Sequence, residues 1–155
     1  MRGVGYRIGR LGFNLSLPNL DHLGSLLGTR RADETALHQK MIDRLRIKTP
    51  SARQPVGLLS GGNQQKVVYG KWLARTPRVL ILDEPTRGVD VGAKAEIYEL
   101  LDEVACQGLA ILMISSELPE LLNLSRRVVV LREGFVTGEL PHEKFSQEAV
   151  LHLMA

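Results

Sequence analysis

The pattern of apolar and polar positions along the chain changes character near residue 57, and two regions result. Before that point it is turn-rich, with Leu17-Pro18-Asn19 and the stretch Gly24 through Gly28. One helical pattern follows, in which Leu37, Met41, Ile42 and Leu45 fall on a single face at spacings of 4, 1 and 3. Lys48-Thr49-Pro50-Ser51 reads as the loop that ends it. After residue 57 strands and helices alternate. Val79-Leu80-Ile81-Leu82 is a short apolar run of the kind buried on both faces of a parallel sheet, and Asp83 and Glu84 follow it directly. Val91 to Gln107 carries Ile97, Leu100, Leu101 and Val104 at helical spacing, with Gly108 placed to stop the helix. Ala110 to Ile114 predicts a second strand, a short helix begins near Glu117 with Pro119 tolerated in its first turn, and Arg127 to Leu131 predicts a third strand. Strands joined by helices predict a parallel α/β sheet. Arg132-Glu133-Gly134 and the alternating Phe135-Val136-Thr137 predict a hairpin or an added edge strand. The last element reads as a helix capped by Ser146, with Ala149, Val150, Leu153 and Met154 as its apolar face.

Composition narrows the class. A chain of 155 residues that is 44% hydrophobic can bury a real core and is expected to form one domain at most. No segment approaches the roughly 18 unbroken apolar residues of a membrane-crossing helix. The start, Met1-Arg2-Gly3-Val4-Gly5-Tyr6-Arg7, lacks the apolar run of a secretory signal, and the single Cys106 excludes a disulfide framework, which together predict a reducing cytoplasm. The net charge of +3 is uneven, because Arg2, Arg7, Arg10, Arg30 and Arg31 face only Asp21 in the first fifth of the chain. Without aromatic interleaving or a groove-reading motif these arginines predict solvated surface rather than nucleic-acid binding. His22, His38, His142 and His152 have no ligand spacing with each other or with Cys106, and no Ser-His-Asp or Cys-His constellation stands out.

Two stretches carry candidate chemistry. Leu59-Ser60-Gly61-Gly62-Asn63-Gln64-Gln65-Lys66 opens a helix that continues through Val68, Trp72 and Leu73. Two glycines let backbone N–H groups approach a phosphate closely, the helix N-terminus adds partial positive charge, and Ser60 supplies a hydroxyl donor. The plain alternative is a glycine turn with a serine cap. The second stretch, Val79 to Pro85, is an apolar strand that ends in two carboxylates at its C-terminal edge, where open α/β sheets bind ligands. Asp83 could hold Mg²⁺ through water, and Glu84 could orient and deprotonate a water attacking a γ-phosphate. The alternative is a core strand whose acidic end merely meets solvent.

Taken together, LSGGNQQK followed one helix later by LILDEP resembles the signature and Walker B motifs of ABC-transporter ATPases. Pro85-Thr86-Arg87-Gly88-Val89-Asp90 is similar to the D-loop, and Ile111 to Leu118 to the strand leading into the switch loop. GNQQK, TRGVDVGAK and ISSELPEL, with Asn14-Leu15-Ser16-Leu17-Pro18 and Ile47-Lys48-Thr49-Pro50-Ser51, resemble the second ATPase half of tandem subunits serving monosaccharide importers of the ribose, galactose and xylose type. Autoinducer-2 importers share that layout. The resemblance covers about residues 14 to 140 and implies a partial P-loop NTPase fold of class α/β: a helical subdomain portion over about 14–57, the signature, Walker B, D-loop and switch region over 58–140, and a C-terminal helix over 141–155. It further implies ATP and Mg²⁺ as cofactors, with Ser60, Gly61, Gly62, Gln64 and Asp90 at the nucleotide, Asp83 at the metal, and Glu84 and Ser116 in catalysis. The implied partners are an intact ATPase half or second ATPase domain and the membrane permease subunits, on the inner face of the cell membrane.

Two departures from the family pattern matter. The phosphate-gripping sequence GxxxxGK[ST] is missing, since Gly70-Lys71 has Gln65 in place of the first glycine and Trp72 in place of the hydroxyl residue. The resemblance is thus to the latter part of an ATPase domain, with no Walker A motif. Ser116 also stands where most members have the switch histidine, and serine cannot relay a proton near neutral pH. The plain alternative for Ser116 is a helix cap. In the family two ATPase domains sandwich two nucleotides head to tail, so Ser60, Gly61 and Gly62 could complete an ATP site in trans on an intact partner. The competing expectation is a non-catalytic remnant or regulatory fragment that binds other transporter subunits through the helical region before residue 57.

Overall fold

A computed structural model of the chain describes residues 9–20, 24–25, 28–29 and 31–155. The expectations for Arg2, Arg7, Asp21, His22 and Arg30 lie outside the described residues. The chain forms two compact units, one from the described residues up to Leu80 with Thr86–Ile111, the other from Ile81–Pro85 with Leu112–Ala155.

In the first unit α1 (Leu11–Ser16) runs into a 3-10 turn at Leu17–Asn19, where Pro18 has no N–H to lose. A short antiparallel pair, β1 (Gly24–Ser25) and β2 (Gly28–Thr29), precedes α2 (Arg31–Arg44). A second 3-10 turn, Val56–Leu58, leads into α3 (Gly61–Leu73), and α4 (Val91–Cys106) follows later. Helix α1 packs on α2 and α3. It does so closely because a Cβ at Gly12 would stand 2.6 Å from His38 Cε1, and one at Gly70 2.7 Å from Leu45 Cδ1 and 2.8 Å from Leu15 Cδ2. Leu11, Leu15, Met41, Leu45, Tyr69 and Leu73 are buried here. Of the predicted face of α2, Met41 and Leu45 are buried while Leu37 and Ile42 are half-buried. Ile97, Leu100, Leu101 and Val104 are buried on α4, and Gly108 terminates it with φ of 95°, a left-handed backbone that glycine adopts without strain.

Strands β3 (Val79–Asp83) and β4 (Ala110–Ile114) are hydrogen-bonded neighbours connected through α4. The Ala110 N–H donates to Arg78 O at one end (3.2 Å) and the Glu84 N–H to Ile114 O at the other (2.8 Å), so the strands run the same way. This is a parallel βαβ unit. Burial on both faces, which the apolar run of β3 predicts, does not hold: Leu80 and Leu82 are buried, but Val79 is 57% and Ile81 64% exposed. Side chains alternate across a strand, and a second covered face needs a second layer that this stretch of chain does not itself provide.

The second unit contains α5 (Leu118–Leu124), β5 (Arg127–Arg132), β6 (Phe135–Pro141), a 3-10 turn at His142–Lys144 and α6 (Gln147–Met154). The predicted third strand does not extend the parallel sheet. Among the described residues it pairs antiparallel with β6 and no other strand, in register Arg132↔Phe135 through Arg127↔Pro141. The reason is local: Glu133 (φ 53°) and Gly134 (φ 85°) form a two-residue turn with both centres left-handed, whose twist matches that of the strands it joins. Val128, Val130 and Val150 form the core, with Leu118, Leu121, Leu122, Leu140, Phe145 and Leu153 against it. Ser146 caps α6 by accepting the Ala149 N–H at 3.0 Å, as expected. Val150 is buried and Ala149 and Leu153 half-buried, but Met154 is exposed. Met154, four residues after Val150, stays on the same side of the helix, but as the last residue of α6 it lies past the part that packs on the apolar cluster.

Candidate functional site

The residues singled out by sequence fall into two groups, one in each unit. In the first unit Ser60 is the N-cap of α3, in extended conformation, yet its side chain caps no backbone N–H. Its Oγ instead accepts the side-chain amide of Asn63 at 2.8 Å. The serine-cap alternative is therefore not realised, and that bond leaves the hydroxyl proton of Ser60 unspent. The two glycines turn out to be there for different reasons. A Cβ at Gly62 would lie 2.4 Å from Ala93 Cβ and 3.9 Å from Val89 Cγ1, so Gly62 lets α3 meet α4. Gly61 is exposed, and a Cβ there would meet only Gly88 O at 3.7 Å. No packing demand explains Gly61. Gln64 folds back, its Nε2 donating to Leu59 O at 2.8 Å, and Asp90 caps α4 by accepting the Ala93 N–H at 2.9 Å.

Sequence reasoning missed what holds this helix start in place. Asn63 also accepts the Lys48 N–H at 2.8 Å through Oδ1. Lys66, 2% exposed, donates from Nζ to Glu96 Oε2 at 2.7 Å, and the exposed Lys48 ammonium reaches Glu96 Oε1 at 3.0 Å. One carboxylate thus ties α3 to α4 and to the loop after α2. The signal was available, since Gly62, Lys66, Tyr69 and Leu73 share one helical face, and a lysine on a buried face calls for a carboxylate.

Two separate groups, Glu96 and His38, make the first unit acid-sensitive in two steps. The Lys66 and then the Lys48 hydrogen bonds lower the Glu96 carboxyl from 4.5 to about 2. Its contribution is complete above pH 4.5 and is lost as pH falls toward 2, and it is modest because the side chain is 41% exposed. His38, whose Nε2 lies 2.7 Å from Ser16 Oγ, is lowered from 6.5 by burial, against the opposing pull of Glu34 and of the Gly12 backbone. The unfolded chain then takes up a proton first, so stability starts to fall below pH 6.5. Thermal unfolding followed from pH 8 to 3 is expected to show both declines, with His38→Gln removing the upper and Glu96→Gln the lower.

In the second unit the structure brings Glu84 and Ser116 together. The Ser116 N–H donates to Glu84 Oε1 at 2.9 Å and its hydroxyl to Oε2 at 3.1 Å. Ser116 caps no helix, contrary to the plain alternative, because α5 starts two residues later and the Glu117 N–H goes to Ser115 Oγ at 3.0 Å. Glu84 has φ of 50°, in the left-handed region that side chains with a Cβ adopt at a cost of about 1–3 kcal/mol. A carboxylate has about four lone-pair sites, so two bonds from Ser116 orient Glu84 and leave each oxygen able to accept another proton. Asp83 is exposed beside it at the end of β3. Among the described residues no group of three His, Cys, Asp or Glu side chains could hold a metal ion. One exposed carboxylate suits Mg²⁺ only as the companion of nucleotide phosphates, which supply its other oxygens.

The sequence profile described as ABC transporter matches residues 12–87. The ribose import ATP-binding protein RbsA of Oceanobacillus iheyensis is 52% identical over 89% of this chain. The xylose import ATP-binding protein XylG of Thermoanaerobacter pseudethanolicus is 50% identical over 90% of it. The chain spans only 28% of the length of each. Among solved structures, the ADP conformation of MJ1267, an ATP-binding cassette of an ABC transporter, superposes with a TM-score of 0.76 at 23% identity, covering 96% of this chain and 63% of that one. The cassette MJ0796 bound to ADP and Pi gives 0.75 at 20% identity, covering 90% and 59%. At such identities these structures speak for the fold alone. Among the described residues no helix is long and apolar enough to cross a membrane. With half of its aligned residues shared with RbsA and XylG, and the cassette fold matched along nearly its whole length, the chain belongs to the ABC transporter ATPase family.

Proposed function

We propose that this chain is the latter part of one ATPase domain in the ATP-binding component of an ABC-type carbohydrate importer, contributing the signature and Walker B elements to MgATP sites. The ribose and xylose import relatives support the substrate class. In this reading Glu84, oriented by Ser116, takes the proton of the attacking water at this half's own site, and Asp83 holds Mg²⁺ through water. Bound Mg²⁺ would neutralise charge developing on the transferred phosphoryl group. Ser60 and Gly61, with the first backbone N–H groups of α3, meet the γ-phosphate of a nucleotide gripped by a partner domain, and Asp90 lies in the adjoining D-loop. The partners are that second ATPase domain and the membrane permease subunits, which puts the chain on the cytoplasmic face of the membrane.

The observation that carries the trans role is the helix start itself: Gly61 is exposed without a packing reason, beside a Ser60 hydroxyl whose proton the Asn63 bond leaves unspent. Mixing the purified chain with an ATPase domain that has GxxxxGK[ST], under ATP without hydrolysis, is expected to give an ATP-dependent heterodimer by analytical ultracentrifugation. Ser60→Ala with Gly61→Asp removes a donor and puts a carboxylate where a phosphate should approach, and is expected to abolish the complex. A heterodimer indifferent to the double variant, or no ATP-dependent association at all, overturns the trans role.

A further inference from the structure

Glu84 is held by a turn whose own support comes from a residue to which no role has been given so far, the glutamate near the end of ISSELPEL. The last residue of β4 and the second residue after it both act on Glu84, just past the end of β3: Ile114 O accepts the Glu84 N–H, and Ser116 supplies both the N–H and the hydroxyl that meet the Glu84 carboxylate. Ser115, between them, faces elsewhere. Its hydroxyl donates to Oε2 of Glu120, in a short contact, while its Oγ accepts the Glu117 N–H at 3.0 Å. Glu120 sits in the first turn of α5 and is 2% exposed. A carboxylate so far removed from water requires hydrogen-bond donors, and Ser115 is one of them.

We infer that Glu120 is a positioning residue for Glu84, acting through Ser115 and Ser116. With its hydroxyl fixed to Glu120 and to the Glu117 N–H, Ser115 has one side-chain orientation and the turn one backbone path. That path directs the next residue's N–H and hydroxyl onto the Glu84 carboxylate. Without the Glu120 acceptor, the Ser115 hydroxyl is held by the Glu117 N–H alone, the Ser116 donors lose their alignment, and the carboxylate of the left-handed Glu84 loses the bonds that orient it. Where a histidine would have its own ring to hold in place, a serine has one torsion and a short reach, so the geometry of this site depends on the turn that carries it. The inference deepens the reading of Glu84 as the base, but the arrangement of the turn can be tested without nucleotide.

The test uses the full chain and the amide of Ser116, whose hydrogen bond in the structure is to Glu84 Oε1. Hydrogen exchange read by NMR is expected to accelerate at this amide by about fivefold or more in Glu120→Leu and in Ser115→Ala, the scale of one lost hydrogen bond. Combining the two should add nothing further, because they break the same link. Glu120→Gln keeps a carbonyl acceptor and is expected to restore most of the protection. Val128 and Val130, in the core of the same unit, report whether the fold persists, and Ser115→Ala serves should Glu120→Leu fail to fold. Unchanged Ser116 exchange in Ser115→Ala, or equal loss in Glu120→Gln and Glu120→Leu, overturns the inference. Turnover in a complete ATPase domain separates the two readings: Glu120→Leu should lower kcat and leave KM nearly unchanged if Glu84 is the base. If Glu84→Gln leaves turnover unaltered while Ser116 exchange still responds to Glu120, the reading of Glu84 as base fails and the positioning stands.

Discussion

Gly62→Val is expected to destabilise the first unit by about 3 kcal/mol or more, measured by urea unfolding followed through the fluorescence of Trp72 on α3. A single added Cβ already falls 2.4 Å from Ala93 Cβ, well inside contact distance, and it meets another helix rather than the mobile tip of a long side chain. Gly62→Ala tests the same point more gently. Alanine gains up to about 1 kcal/mol of helix propensity over glycine, so a net loss means that the clash wins. In the Gly62→Ala background, Ala93→Gly is expected to recover part of the loss, because it removes the atom that the new methyl meets. Gly61→Ala, one residue earlier, should stay within about 0.5 kcal/mol of the parent. If Gly61 and Gly62 prove equally sensitive, both glycines answer to packing and the open phosphate approach at Gly61 loses its support.

Glu84→Gln is expected to lower ATP turnover at this half's own site by about a hundredfold or more when the chain is joined to the segment that grips the phosphates, while leaving nucleotide binding nearly intact. Glutamine keeps the size of glutamate and an oxygen that can accept the Ser116 N–H, so the orientation survives. What is lost is the ability to take a proton from water. Single-turnover kinetics with nucleotide binding measured in parallel separate this outcome from misfolding. Equal turnover in the parent and the variant shows that Glu84 only pairs with Ser116, and that hydrolysis at this site depends on another group or is not supported.

Motifs and helical faces were legible from sequence because they depend on neighbours in the chain. Met41, Leu45, Ile97 and Val104 are buried as their spacing predicts, and Gly108 stops α4 as a glycine in its place should. The resemblance of LSGGNQQK and LILDEP to one ATPase family needed only the order of residues. Much of the hairpin was also local, since Glu133-Gly134 specifies its own turn. That same turn shows where pattern reading stops: a strand of apolar residues after a helix suggests a further parallel neighbour, but partner choice is settled by which backbone lies alongside, and for β5 it is β6.

Whatever depends on the distance between residues remote in sequence was decided only by the tertiary structure. Nothing in the pair Gly61-Gly62 says that one glycine is open and the other pressed against Ala93, 31 positions further on. Lys66 looked like part of a polar run, and only the approach of α4 gives it Glu96 as its counter-charge. Ser116 appeared as a substitution for a histidine, and only the parallel pairing of β3 with β4 brings its two donors to the two oxygens of Glu84. The exposed face of Val79 and Ile81 is of the same kind. Sequence fixes which side chains a strand or helix presents, through a period set by backbone geometry, whereas what meets that face depends on segments brought together by folding.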